Sequence, residues 1–370
     1  VIDAEGYLIV GGVAAGITLV ATPLVRLACV LRGWVVPPDE RRVHQRPTPT
    51  MGGIAMFLGF LGAMFVAWRM DRFAELFSTS EPWGVVVAAA VIFAVGLLDD
   101  LRPLSPPAKV FGMVLSGLAL SVAGVTMFYF RIPFLDVVVL PSDLVPLVTV
   151  LWLMGMANAI NLIDGLDGLA AGIVAIASGA FFLFGQRMGS IGVLSQPNIG
   201  PLIAIIVLGM CLGFLPHNVN PARIFMGDSG ALLLGVLMAA STSVVGGRVD
   251  PNVAASGQTY FFFAPLVIPL VILGVPVLDT FLAVIRRAVR RQKLTAPDKG
   301  HLHHRLMALG HGQRRSVLIL WLWTLILSCF VLYPAYTGQG DAVVPLGIAA
   351  LGLALYTVLH PEVRRARDEA

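Results

Sequence analysis

The chain has 370 residues, 57% of them hydrophobic and only 12% charged, with a formal net charge of +4. A soluble domain carries roughly 25% charged residues, so this composition excludes one and describes an integral membrane protein. Apolar stretches of about 16 to 25 residues, parted by short polar turns, fit spanning helices and exclude the alternating strands of a barrel.

The run Tyr7 to Leu31 follows Asp3 and Glu5 rather than a basic stretch, and it reads as a first span, not a removable signal peptide. The predicted fold is all-α, a polytopic protein of about eleven transmembrane helices. They are expected near 7–31, 51–68, 83–98, 109–127, 144–158, 168–185, 199–214, 229–246, 261–285, 316–333 and 342–359. One set of connections (32–50, 99–109, 215–227, 286–315 and the tail from 360) holds 19 of the 25 Lys and Arg. By the positive-inside rule that set faces the cytoplasm, with the N-terminus outside and the C-terminus cytoplasmic. No internal repeat or domain boundary is visible. Residues 1–370 read as one transmembrane catalytic domain whose site loops are 32–50, 99–109, 158–168, 215–228 and 286–315. Cys29, Cys211 and Cys329 are far apart and form no CxxC, so they read as packing residues.

Four stretches carry chemistry, all on the basic side. Asp99-Asp100 close the third span. Anions are disfavoured at a helix C-terminus, so a solvated cap explains them poorly and a site for a divalent cation and phosphate explains them better. Lys109 opens the next span and can return to the same place to hold a phosphate. After the apolar run 144–156, Asn158, Asn161, Asp164 and Asp167 recur every third residue. On a continuous helix each such step falls back by about 60°, which would set Asn158 and Asp167 on opposite sides. Gly165 and Gly168 suggest a turn instead, one that would bring the four polar groups together.

Between the seventh and eighth spans, Arg223 and Phe225 precede Gly227-Asp228-Ser229-Gly230. Two glycines around an acid at a loop-to-helix junction allow backbone N–H groups to approach an anion. Asp228 also suits the N-cap of the next helix, and both roles are open. Last comes His301-Leu-His303-His304-Arg305, after Arg286, Arg287, Arg290, Arg291 and Lys293. The leading arginines read as positive-inside anchors. The histidines lack the Cys or carboxylate pattern of a zinc site, and with Arg305 they read as a diphosphate clamp. Together these residues are the equipment of metal-assisted phosphoryl transfer.

From Pro47-Thr-Pro-Thr-Met-Gly-Gly53 through the acid pair, the Asn/Asp stretch and Ile224-Phe-Met-Gly-Asp-Ser-Gly230 to His301–Arg305, the order of motifs resembles the polyprenyl-phosphate N-acetylhexosamine-1-phosphate transferase family. The resemblance covers nearly the whole chain. It implies Mg²⁺, for which Mn²⁺ can substitute, a cytoplasmic-face site in the bacterial inner membrane, and a homodimer. Its partners would be UDP-N-acetylglucosamine and polyprenyl (undecaprenyl) phosphate, with no nucleic acid. Position by position, Asp228 resembles the principal Mg²⁺ ligand, with Asn161 on or near the metal. Asp99 matches a base toward the lipid phosphate and Lys109 a phosphate-binding lysine. Asp100 and Asp164 join the catalytic set, and Asn158 and Arg223 the substrate-binding one. Phe225 and Asp167 match positions that hold uracil. The loop His301–Arg305 resembles the WecA/TagO branch, which takes UDP-N-acetylglucosamine. It lacks the longer His-rich motif of the MraY branch, which uses UDP-MurNAc-pentapeptide. A transporter of this size would be expected to carry its acids near the bilayer midplane, whereas here they gather at one face.

Overall fold

Proline opens four of the long helices, at their first turns, where a missing N–H is of no consequence. Glycine and short polar clusters separate them. The structure, a computed structural model, describes residues 4–36, 47–131, 137–194, 196–247, 270–271, 273–289, 302–338 and 343–359.

The chain runs α1 (Ala4–Leu31), β1 (Val35–Val36), β2 (Thr48–Pro49), α2 (Gly53–Arg69), a single 3-10 turn (Asp71–Phe73), α3 (Ala74–Phe77), α4 (Glu81–Leu101) and α5 (Pro106–Val122). It continues with β3 (Tyr129–Arg131), β4 (Val137–Val139), α6 (Val145–Ile163), α7 (Leu169–Ser190), α8 (Gly200–Asn218) and α9 (Gly227–Gly246). Next come α10 (Gly274–Val289), α11 (Leu302–Ala308), α12 (Gln313–Thr337) and α13 (Val343–Leu359). The protein is an all-α, multi-pass membrane protein. Two antiparallel two-stranded ladders, β1 with β2 and β3 with β4, are additions that the apolar periodicity does not foretell.

Among the described residues seven helices are long and apolar enough to cross a bilayer. The pair formed by α2 and the segment Asp71–Phe77, bent by 91°, makes an eighth if it is one span. The shorter apolar helices α5 and α13 occupy two more of the expected places. Of the expected ninth span, 261–269 and 272 lie outside the described residues. The expected boundaries differ by as much as five residues at the ends of α5, α6 and α7; α6 runs on to Ile163 rather than stopping at 158.

At the centre is α9, buried from Ser229 to Gly246. In lipid, burying a leucine against another helix gains little, because the tails are equally apolar, so close backbone approach matters more. The sequence of α9 is rich in Gly, Ala and Ser for that reason. A Cβ at Gly235 would strike the backbone of Ala157 in α6, and one at Gly96 of α4 would come within 2.5 Å of Ser229 Cα. Large apolar side chains such as Leu24, Leu27, Phe111, Leu147 and Leu151 instead remain exposed around the outside, where lipid covers them.

Hydrogen bonds sort the helix ends into two faces. On one, Ser80 Oγ bonds Ala123 O, Asn198 Nδ2 bonds Val244 O and Tyr336 Oη bonds Leu183 O. On the other, the ends of α4, α6 and α8 meet the beginnings of α2, α5, α7, α9 and α12. Every motif singled out in the sequence that falls among the described residues is on this second face, except Asn158.

Candidate active site

The C-terminus of α4 and the N-terminus of α5 fold back on each other across a short turn. Asp99 Oδ1 accepts the Leu104 N–H at 2.7 Å, which holds the turn to the carboxylate. Lys109, one turn into α5, places its Nζ 2.6 Å from Asp99 Oδ2 and 2.7 Å from Asp228 Oδ2. A single ammonium thus bridges two carboxylates from two helices and offsets the cost of an acid at a helix C-terminus.

Asp100, the next residue, faces α9. Its Oδ1 accepts the Asp228 N–H at 2.8 Å, and its Oδ2 accepts the Ser229 N–H at 3.1 Å and the Ser229 hydroxyl at 2.6 Å. It therefore caps the N-terminus of another helix, where negative charge is favoured. This corrects two expectations. Asp228 is not an N-cap: it sits inside the first turn of α9, and the residue before that helix, Met226, makes no side-chain cap bond. Nor are the N–H groups of Asp228 and Ser229 open to an anion, since Asp100 already holds them. Gly227 is required here, with φ +74° and no room for a Cβ beside the Asp100 carboxylate.

The Asn/Asp stretch is helical as far as Ile163 and turns only at Asp164, with Gly168 at φ +77°. The four polar groups therefore do not all converge. Asn158 donates to Met154 O at 2.7 Å and lies 3.6 Å from Met113 Sδ, away from the turn. Continuing the helix keeps the backbone bonded, and the amide settles on the carbonyl four residues back. Asn161 and Asp164 stand at the turn, and neither side chain has a hydrogen-bond or ion-pair partner among the described residues. Burial pushes the Asp164 carboxyl up to about 7, with the charges of Asp228, Asp100 and Asp167 adding to the effect.

Asp167 is tied into the α8–α9 loop: its Oδ2 accepts from Asn220 Nδ2 at 2.9 Å and from the Ala222 N–H at 3.0 Å. Asn218 clasps the same loop, accepting the Gly168 N–H and donating to Ile224 O. Asn220 also donates to Gln313 Oε1 at 2.7 Å and accepts from Arg314 Nε at 3.2 Å, which joins the loop to the start of α12. Phe225 is half-buried, and its backbone pairs with Pro49 O and the Gly52 N–H, bringing in the stretch 47–53. Arg223 is exposed, and its carbonyl accepts Arg26 Nε at 3.2 Å.

His301 lies outside the described residues, as do the side chains of His303 and His304. The backbone of 302–308 is helical and Arg305 is exposed. Asp279, buried in α10, accepts the Leu302 N–H at 2.8 Å and so fixes the start of that helix. Asp279, Asn218, Asn220 and Gln313 were not singled out in the sequence. A signal existed for Asp279, an acid inside an apolar run. The others look like ordinary loop residues, and only the fold shows what they join.

Five carboxylates, Asp99, Asp100, Asp164, Asp167 and Asp228, share this face with Lys109, the one lysine among the described residues. Among the described residues no three Asp, Glu, His or Cys groups form a ready-made metal cage. Mg²⁺ is usually held by one or two carboxylates together with substrate phosphates rather than by protein alone. The clustered carboxylates, and an Asp164 carboxyl raised by burial and then by its acidic neighbours, make a setting that a divalent cation would relieve. Asp228 and Asp164 lie close enough to feel each other's charge, and their oxygens are donors of the kind such an ion takes.

Residues 82–246, from α4 through α9, match the model of Glycosyl transferase family 4. The chain is 36% identical over 372 residues to the decaprenyl-phosphate N-acetylglucosaminephosphotransferase of Mycolicibacterium smegmatis, covering 98% of this chain and 90% of that protein. It is 37% identical over 312 residues to the probable undecaprenyl-phosphate N-acetylglucosaminyl 1-phosphate transferase of Bacillus subtilis, covering 84% and 80%. A phospho-N-acetylmuramoyl-pentapeptide-transferase of Desulforudis audaxviator is 32% identical over 354 residues, covering 87% and 96%.

Proposed function

Because this chain belongs to glycosyl transferase family 4, we propose that it transfers N-acetylglucosamine 1-phosphate from UDP-N-acetylglucosamine to polyprenyl phosphate. The observation that carries the proposal is the bridge of Lys109 between Asp99 and Asp228, within a face where five acids meet. That face is read as cytoplasmic, in a bacterial inner membrane, with about eleven spans, the N-terminus outside and the protein a dimer.

In the reaction an oxygen of the lipid phosphate attacks the sugar-bearing phosphorus of the donor. A new P–O bond forms there, the bond to the bridging oxygen breaks, and UMP leaves with that oxygen. The chain's own groups position and neutralise, which is most of what phosphoryl transfer needs. Lys109 draws the acceptor phosphate toward Asp99, and Asp99 takes its proton when it arrives singly ionised. Asp228, Asn161 and Asp164 would hold Mg²⁺, which when bound neutralises charge on the diphosphate. Phe225 and the loop pinned by Asp167 are read as the seat of the uracil, and His301, His303, His304 and Arg305 as contacts to the diphosphate or sugar.

The higher identity to the two N-acetylglucosamine enzymes favours that donor. The test is direct: membranes containing the chain, given radiolabelled UDP-N-acetylglucosamine and polyprenyl phosphate, should yield butanol-soluble label and an equal amount of UMP. Label appearing only with UDP-MurNAc-pentapeptide would overturn the donor. No product with either would overturn the transferase reading.

A further inference from the structure

We propose that Asp100 is a positioning residue, whose carboxylate seats the first turn of α9 and thereby sets where Asp228 presents its own. Three bonds leave it little to offer a substrate: the N–H groups of Asp228 and Ser229 and the Ser229 hydroxyl, all at 3.1 Å or less. The surrounding backbone is cut to this carboxylate. Gly227 adopts φ +74° and brings its α-carbon so near that an added Cβ would lie 2.5 Å from Asp100 Oδ2. Gly96, one helical turn before Asp100, lets α4 lie directly against Ser229. Adjacent acids therefore divide the work. Asp99 meets Lys109 at the open side, while Asp100 turns inward to the helix end. Successive residues on a helix point about 100° apart, so one pair of acids can serve two partners.

The activity arm of the test rests on the transferase reading and the cation-binding arm does not. Purified full-length protein in nanodiscs would be compared with Asp100→Asn, Ser229→Ala and the double variant. Mn²⁺ binding is read by electron paramagnetic resonance, and initial rates are read against Mg²⁺ concentration and pH. Asp100→Asn should weaken Mn²⁺ binding by about tenfold or more and raise the half-saturating Mg²⁺ concentration by a similar factor, as loss of a group orienting a metal ligand does. Ser229→Ala removes one bond of three and should move both readings the same way, by about threefold. The double variant should fall within about twofold of Asp100→Asn, because both act through one contact. The shape of the pH–rate profile should not change.

Unchanged Mn²⁺ and Mg²⁺ dependence with a lost limb of the pH profile would overturn the proposal and make Asp100 a reacting group. A rate loss with cation dependence unchanged, or a wild type that binds no Mn²⁺, would also overturn it. Should Asp100→Asn fail to fold, Ser229→Ala decides alone. A wild type that binds Mn²⁺ but transfers nothing would end the transferase reading and leave the binding comparison standing.

Discussion

Lys109 and Asp228 stand 119 positions apart in the chain and meet at 2.7 Å, Nζ to Oδ2. With Asp99 on its other side, this ammonium sits between two of the five carboxylates on that face. Lys109→Met should cut transfer by about 10²- to 10³-fold, the usual cost of removing one preorganised charge from a transition state. Lys109→Arg should rescue it poorly, since a planar guanidinium cannot sit as a point charge between two carboxylates. Initial rates normalised to protein in the membrane decide this, and a Lys109→Met enzyme within threefold of wild type would end the idea.

Asp228→Asn should abolish turnover in a protein that still inserts and melts cooperatively, because a ligand at the reacting diphosphate contributes several kcal/mol of charge stabilisation. Near-normal rates at low Mg²⁺ would remove Asp228 from the metal.

Asp99→Asn should act on the acceptor side. The KM for the sugar nucleotide should stay within a few fold while kcat falls roughly 10²-fold, as the loss of a general base allows. Raising the pH separates two roles. Rescue points to deprotonation of the lipid phosphate, and no rescue points to charge alone.

Asp164 gives the protein a pH-dependent stability. Its carboxyl lies at about 7 in the fold against an ordinary 3.8, so between those values the folded chain holds a proton that the unfolded chain releases. Stability without divalent cations should therefore fall as pH rises from about 4 to about 7. The charged form is the costly one, and Asp164→Asn should flatten the slope. Melting temperatures in chelator across that range provide the check, and a wild-type slope of opposite sign would refute it.

Asp279→Asn should weaken donor use in the same direction as His301→Ala or Arg305→Ala, with acceptor use nearly unchanged. The buried acid holds the Leu302 N–H, and so the start of the helix carrying the histidine motif. The comparison is the KM for each substrate in all three variants. If Asp279→Asn raises both KM values equally, the residue serves packing alone.

Hydropathy was enough to place the seven long apolar helices among the described residues, since a run of apolar residues long enough to cross a bilayer must satisfy its own backbone and does so as helix. It also placed the motif-bearing loops on one side, because each lies at the same parity of the chain. The direction of individual side chains was another matter. Asn158 and Asp167 share a three-residue spacing with Asn161 and Asp164, yet Asn158 faces Met113 and Asp167 grips Asn220 and Ala222. The sequence could not tell that α6 persists to Ile163, because the turn depends on where the end of α8 and the α8–α9 loop meet it. Asp100 is the sharpest case. An acid at the end of its own helix looks misplaced until a second helix, begun at Gly227, brings its N-terminus alongside. Local pattern determined which residues are polar, where the long apolar helices run and on which side their connecting loops lie. Only packing decided which carboxylate meets a lysine, which a helix end, and which, like Asp164, is buried beside other acids.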